Sequence, residues 1–204
     1  MARPVKIILY KLLPACYAEQ TNTRGGVFHL DWFWFFTLYS VLGCLLEIVF
    51  ARLTRSRPDR KRLLVLPLCP VYGLGACLCL FVAPAVRDNP GLLFLTGAVV
   101  CTAVEYLMAL WYERVLGVAF WDYSGQRGNL WGRVCVPFSA AWGVLVLCLV
   151  YWIHPAVSAF VRTIPAALTP FVFVAVCADL LVSGVMLRRT RDRACLRWYD
   201  QFRA

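Results

Sequence analysis

Long apolar stretches alternate with short polar ones along the chain, at about 32–51, 63–86, 91–112, 134–153 and 164–187. Each is close to the ~20 residues with which an α-helix crosses about 30 Å of hydrocarbon, so the pattern predicts membrane helices rather than soluble domains. The fold class that follows is all-α: a polytopic transmembrane helix bundle of about five spans, with a structured cytoplasmic loop. The second span holds Pro67, Pro70, Gly73, Gly75 and Pro84, which predicts a helix kinked or broken near its cytoplasmic end. Between the third and fourth spans, Glu105 to Cys135 is polar and aromatic. It is the candidate working surface.

The polar stretches set the orientation. After the first span come Arg52, Arg55, Arg57, Arg60, Lys61 and Arg62 against Asp59, and after the last come Arg188, Arg189, Arg191, Arg193, Arg197 and Arg203 against Asp192 and Asp200. Both clusters belong in the cytoplasm under the positive-inside rule. Five spans with an outside amino terminus and an inside carboxyl terminus satisfy them together. Lys6, Lys11 and Arg24 fit this less well, and an inside amino terminus with one re-entrant segment is the alternative. Residues 1–30 read as an amino-terminal segment forming an interfacial helix, 31–187 as the transmembrane domain, and 188–204 as a basic cytoplasmic tail. A cleaved signal is not expected, since Lys11 interrupts the apolar core, and Leu13-Pro14-Ala15-Cys16 is a poor lipoprotein box.

Composition adds little that the pattern does not already imply. The chain of 204 residues is 61% hydrophobic, with a mean hydropathy of +0.68. Its net charge of +10 sits in runs beside apolar segments, which points to topology and anionic lipid headgroups as partners and not to nucleic acid. The ten cysteines fall mostly in apolar stretches, without a CxxC pair or Cys/His spacing, so neither a disulfide framework nor a metal or other cofactor is expected. There is no Walker A motif, and coupling to ATP would require a separate subunit.

Three acids lie on separate predicted spans: Glu47, Glu105 and Asp179. An ionised acid at bilayer depth costs several kcal/mol unless it finds a partner or water. One reading is a wet cavity open to the cytoplasm that takes a cation, an amine or a proton, with Asp179 as a proton or cation site. The other is that Glu47 and Glu105 pair with Arg114, Arg127 or Arg133 and lock the bundle. Glu105 and Glu113, two i+4 steps apart, fall on one helix face and could meet the same partner. Trp121, Asp122, Tyr123, Ser124, Gly125, Gly128 and Asn129 read as a structured loop, or as a lid whose Arg127 and Arg133 engage an anion. Cys69 and His154 are expected at opposite faces, which counts against a Cys/His catalytic pair.

These residues resemble a known family, the type IV ABC-transporter permeases (CmpB-like). The resemblance runs through about residues 35–155: Tyr39-Ser40, Gly43, Leu45-Leu46-Glu47, Pro67-Leu68-Cys69-Pro70-Val71-Tyr72-Gly73, Glu105-Tyr106 and Trp121-Asp122-Tyr123-Ser124. It continues through Asn129-Leu130, Gly132-Arg133-Val134-Cys135, Trp142-Gly143 and His154-Pro155. The chain departs from the family at Lys61-Arg62-Leu63, Leu66 and Gly128. The resemblance implies a permease-like protein of the plasma membrane. Its pocket for a small solute or lipid would be lined by Glu47, Tyr72, Glu105, Trp121, Asp122, Tyr123, Asn129 and Arg133, with a homodimer or an ATP-binding subunit in trans as partner. A non-transporting scaffold docking a partner through the 113–133 loop is the alternative, and an intramembrane enzyme a third.

Overall fold

The computed structural model describes residues 28–54 and 66–196. The amino-terminal segment, most of the first basic loop and the end of the tail lie outside the described residues. Among the described residues six α-helices follow in order: α1 (Phe28–Leu53), α2 (Pro70–Val82), α3 (Pro90–Trp111), α4 (Val136–Cys148), α5 (His154–Val161) and α6 (Thr169–Thr190). Among the described residues the only β pairing is one isolated bridge, Leu130 to Val134.

Among the described residues four helical rods are long and apolar enough to cross a membrane: Leu30–Leu53, Pro90–Leu116, Val136–Val161 and Ala166–Thr190. Val99, Leu107, Phe171 and Leu181 stand exposed on their outer surfaces, an arrangement that suits lipid and not water. The protein is thus an all-α membrane bundle.

Where the rods overrun the apolar stretches, backbone chemistry explains it. The rod Val136–Val161 does not stop at His154-Pro155 but continues through a π turn, Leu149–Ile153, into α5. In a regular α-helix the Pro155 ring would press on the carbonyl four residues earlier. The wider turn, with the His154 amide reaching back to the Leu149 carbonyl, relieves that clash. A second π turn, Tyr112–Leu116, extends α3 and closes at Gly117, whose φ of 71° only glycine adopts at no cost.

The second apolar stretch behaves differently. Its helix, α2 with one 3₁₀ turn (Ala83–Ala85), is the shortest of the apolar rods at Pro70–Ala85, and residues 66–69 ahead of it are not helical. Pro67 and Pro70 disfavour the helical region at the residues before them, and Cys69 is extended at φ −117° and ψ 90°. Non-helical backbone inside a membrane bundle needs partners from the protein. The Cys69 amide donates to the Ser40 carbonyl at 2.9 Å, and the Leu66 amide donates to Asp179 Oδ2 at 2.6 Å. Ser40 is the midpoint of α1, so the break, which falls at the start of the second stretch as expected, packs against the middle of that helix.

Small residues bring the rods together. A Cβ on Gly43 would collide with the Tyr72 ring, and one on Gly73 with Ser40 Oγ and the Phe36 carbonyl. These two glycines let α1 and α2 cross closely, the usual device in membranes where packing replaces the hydrophobic effect. At one end of the bundle Trp34 Nε1 donates to Thr169 Oγ1 at 3.1 Å, and Tyr39 Oη meets His154 Nδ1 at 2.8 Å. At the other, Phe50 packs on Phe138 at 6.1 Å and Arg193 Nη1 donates to the Phe120 carbonyl at 2.8 Å. This second end gathers Arg52, the loop 117–135 and the basic end of α6.

Candidate functional site

Glu105, on the last turns of α3, is only 4% exposed, yet both its oxygens are engaged. Oε1 accepts from Tyr123 Oη and Oε2 from Trp142 Nε1, each at 2.9 Å. An indole N–H can only donate, and the Tyr123 hydroxyl donates as well. Charge-assisted hydrogen bonds of this kind offset the desolvation that burial imposes.

Glu47, on α1, accepts from Tyr72 Oη at 2.7 Å. The Tyr72 ring packs against Trp142 with centroids 5.0 Å apart, so an aromatic pair joins the two acids. Tyr123 stacks on Phe138 at 4.7 Å. Burial pushes its phenol well above the ordinary range, Glu105 adds to this, and Glu47 contributes from farther off. Glu47, Tyr72, Trp142, Glu105 and Tyr123 therefore form one cluster.

Sequence features place each member. Gly43, one turn before Glu47, leaves room for the Tyr72 ring, and Pro70 starts α2 two residues before Tyr72. After Gly117 the chain runs extended, alternating buried Val118 and Phe120 with exposed neighbours, the period-2 habit of extended backbone. That segment delivers Tyr123 to the bundle.

The other candidates hold the loop. Trp121 Nε1 donates to the Arg133 carbonyl at 2.8 Å, and Asp122 accepts from the Ser124 amide and hydroxyl at 2.9 and 3.1 Å. Asn129 donates to the Ser124 and Gln126 carbonyls, both at 3.0 Å, and accepts from the Gly132 amide at 3.2 Å. Arg133 grips Glu113 at 2.6 Å and lies 5.6 Å from the Tyr106 ring. The hydrogen bond to Glu113 is the main reason its pKa rises above the usual arginine value. Glu105 and Glu113 thus meet different partners. Asp179 accepts from the Leu66 amide and, at 2.9 Å, from Ser183 Oγ, which ties α6 to the break before α2.

Trp142 is the member to which the sequence assigns no role. It stands out only as part of the Trp142-Gly143 pair, although an indole N–H inside an apolar helix needs an acceptor. Cys69 lies against the midpoint of α1, and His154 bonds Tyr39, the residue beside Ser40. Among the described residues no three His, Cys, Asp or Glu side chains group as metal ligands.

Beside the cluster, between α1 and α4 and floored by α2, lies a groove of about 450 Å³. Leu42, Leu46, Val49, Ala76, Val146 and Leu149 line it, together with Tyr72 and Trp142 of the cluster. Its volume falls within the roughly 300–1,000 Å³ of small-molecule sites.

A family model described as "Putative ABC-transporter type IV" matches residues 34–186. No curated protein matches the chain, and no solved structure does.

Proposed function

The chain belongs to this ABC-transporter type IV family, and from that premise we propose that it is a permease-like protein binding or moving a small solute or lipid at the Glu47–Tyr72–Trp142–Glu105–Tyr123 cluster. The observation that carries this reading is the pair of carboxylates set inside an apolar bundle and joined by an aromatic pair that also lines an apolar groove. Acids at this depth cost stability and are usually kept for ions, protons or polar headgroups. The basic end of the bundle is read as cytoplasmic, which puts the carboxyl terminus inside the plasma membrane and the cluster within reach of the cytosol. An ATP-binding subunit in trans, or a second copy of the chain, completes the transporter.

Glu47→Gln and Glu105→Gln test this in cells lacking the native gene. Both variants should reach the membrane and stay monodisperse, and both should lose the substrate-dependent phenotype. A full phenotype in either variant overturns the reading.

A second reading, docking of a partner through the loop, draws on one feature. Trp131 is 72% exposed and sits at φ 50° with Gly132 at 70°, a left-handed pair closing a turn from Leu130 to Arg133. A bulky residue held there is strained, and such strain clusters at functional surfaces. Under this reading Trp131→Gly, which relaxes the turn, removes the phenotype while the two glutamine variants keep it.

A further inference from the structure

Two thiols meet inside the bundle. Cys79 on α2 and Cys101 on α3 hold their sulfurs 3.5 Å apart, and either can donate to the other. Both are free thiols, and both are buried, at 1% and 5% exposure. A cysteine in an apolar helix commonly serves as a small hydrophobe, and a single thiol there would call for nothing more. Two that touch across neighbouring helices can form a bond. A disulfide holds its sulfurs about 2.05 Å apart, so the pair has only a short distance left to close. Gly75, one turn before Cys79, keeps the space beside the Cys101 sulfur open for that movement, since even an added Cβ would stand at an ordinary 3.5 Å from it.

What can reach the pair follows from its surroundings. Cys101 lines the groove between α1 and α4, whereas Cys79 lies behind it. Leu42, Leu45 and Val49 of the same lining are exposed on the outside of the bundle, so the groove opens sideways to lipid. Its walls are mostly aliphatic. A polar oxidant such as glutathione disulfide would give up its hydration there for no replacement. An oxidant dissolved in the bilayer loses nothing on entering.

We propose that Cys79 and Cys101 form a dithiol that a lipid-soluble quinone, entering by the groove, oxidises to a disulfide between α2 and α3. In this step both S–H bonds break and the Sγ–Sγ bond forms, while the two electrons and two protons pass to the quinone, which leaves as the quinol. Cys101 meets the quinone, and Cys79 closes the bond from behind. Because α2 floors the groove, the disulfide fixes that floor against α3. The acids take no part in the step, so it stands or falls apart from the permease reading.

The test uses the full chain, reduced, in phosphatidylcholine vesicles without oxygen, given either a short-tailed ubiquinone analogue or glutathione disulfide. Acid quenching, alkylation of the remaining thiols and mass spectrometry of the unreduced digest measure the cross-link between Cys79 and Cys101. The quinone should convert most of the protein to the cross-linked form and yield an equal amount of quinol, and glutathione disulfide should leave the thiols reduced. Cys79→Ser and Cys101→Ser should each lose both the cross-link and the quinol. If a serine variant fails to fold, alanine at the same position takes its place. Leu42→Trp, at an exposed position of the groove, should slow oxidation by the quinone. No cross-link with the quinone, a cross-link from Cys101 to a different cysteine, oxidation as complete with glutathione disulfide, or an unchanged rate in Leu42→Trp overturns the proposal and leaves two packed thiols.

Discussion

Replacing Trp142 by Phe removes one donor from the buried carboxylate and leaves most of the ring. The donor in question reaches Glu105 Oε2 at 2.9 Å, and both residues are buried. A hydrogen bond to a charged group is worth about 1.5–3 kcal/mol, more where its loss leaves a charge poorly solvated. The smaller ring adds a cavity cost of about 1 kcal/mol. A loss of about 3 kcal/mol should lower the melting temperature in detergent by roughly 6–12 °C for a chain of this size. Fluorescence-detected size-exclusion chromatography after heating measures this directly. Trp152→Phe serves as control, since Trp152 is exposed and its loss should stay within about 0.5 kcal/mol. The decisive comparison repeats Trp142→Phe in a Glu105→Gln background, where the acceptor is neutral and the penalty should shrink by about 1 kcal/mol or more. Equal penalties in the two backgrounds would mean that Trp142 acts through packing alone, and the charged cluster would lose its central bond.

Tyr123 makes stability depend on alkaline pH. Its phenol is held above the ordinary value of 10 by burial, then by Glu105, so the folded protein keeps a proton that the unfolded chain releases. Its contribution is full below pH 10 and is lost progressively as pH climbs from there toward the raised folded value; melting curves recorded from about pH 9 to 11 should therefore fall less steeply for Tyr123→Phe than for wild type, and parallel curves would refute the assignment. Gly43→Ala puts a methyl group into the Tyr72 ring and should cost about 1–3 kcal/mol, read as a drop in melting temperature that Gly125→Ala, with open space around it, does not share. Asp179→Ala takes the acceptor from the Leu66 amide and should cost about 1–3 kcal/mol, with amide hydrogen exchange rising at Leu66 to Cys69; unchanged exchange there would show that the break is held by other means.

The membrane bundle was legible because hydropathy at a period of some twenty residues is a strong signal, and lipid leaves helices little competition. The break before α2 was legible as well, since proline restricts the residue in front of it wherever it occurs. The partners of its loose amides were not, because Ser40 and Asp179 lie far from Cys69 and Leu66 in sequence. The same limit applies to the acids. Glu47 and Glu105 stand out as costly residues in apolar runs, and the sequence offered a wet cavity or nearby arginines for them, but not the donors Tyr72, Tyr123 and Trp142 that the structure brings to them. Within the loop, Asp122 and Asn129 have the residue types of a binding site and of a turn alike. The structure uses them for the turn.

The bond from the Leu66 amide to Asp179 sets an order on biogenesis. A ribosome delivers residue 66 to the membrane long before residue 179 exists, and Pro70–Ala85 is short for a segment that must insert alone. The nascent chain therefore has to carry this piece as a hairpin with α3, its loose amides screened by water or by the insertion machinery, until the final helix emerges and docks. Chains truncated before Asp179 should be the ones that quality-control proteases recognise, and maturation should finish only after translation does.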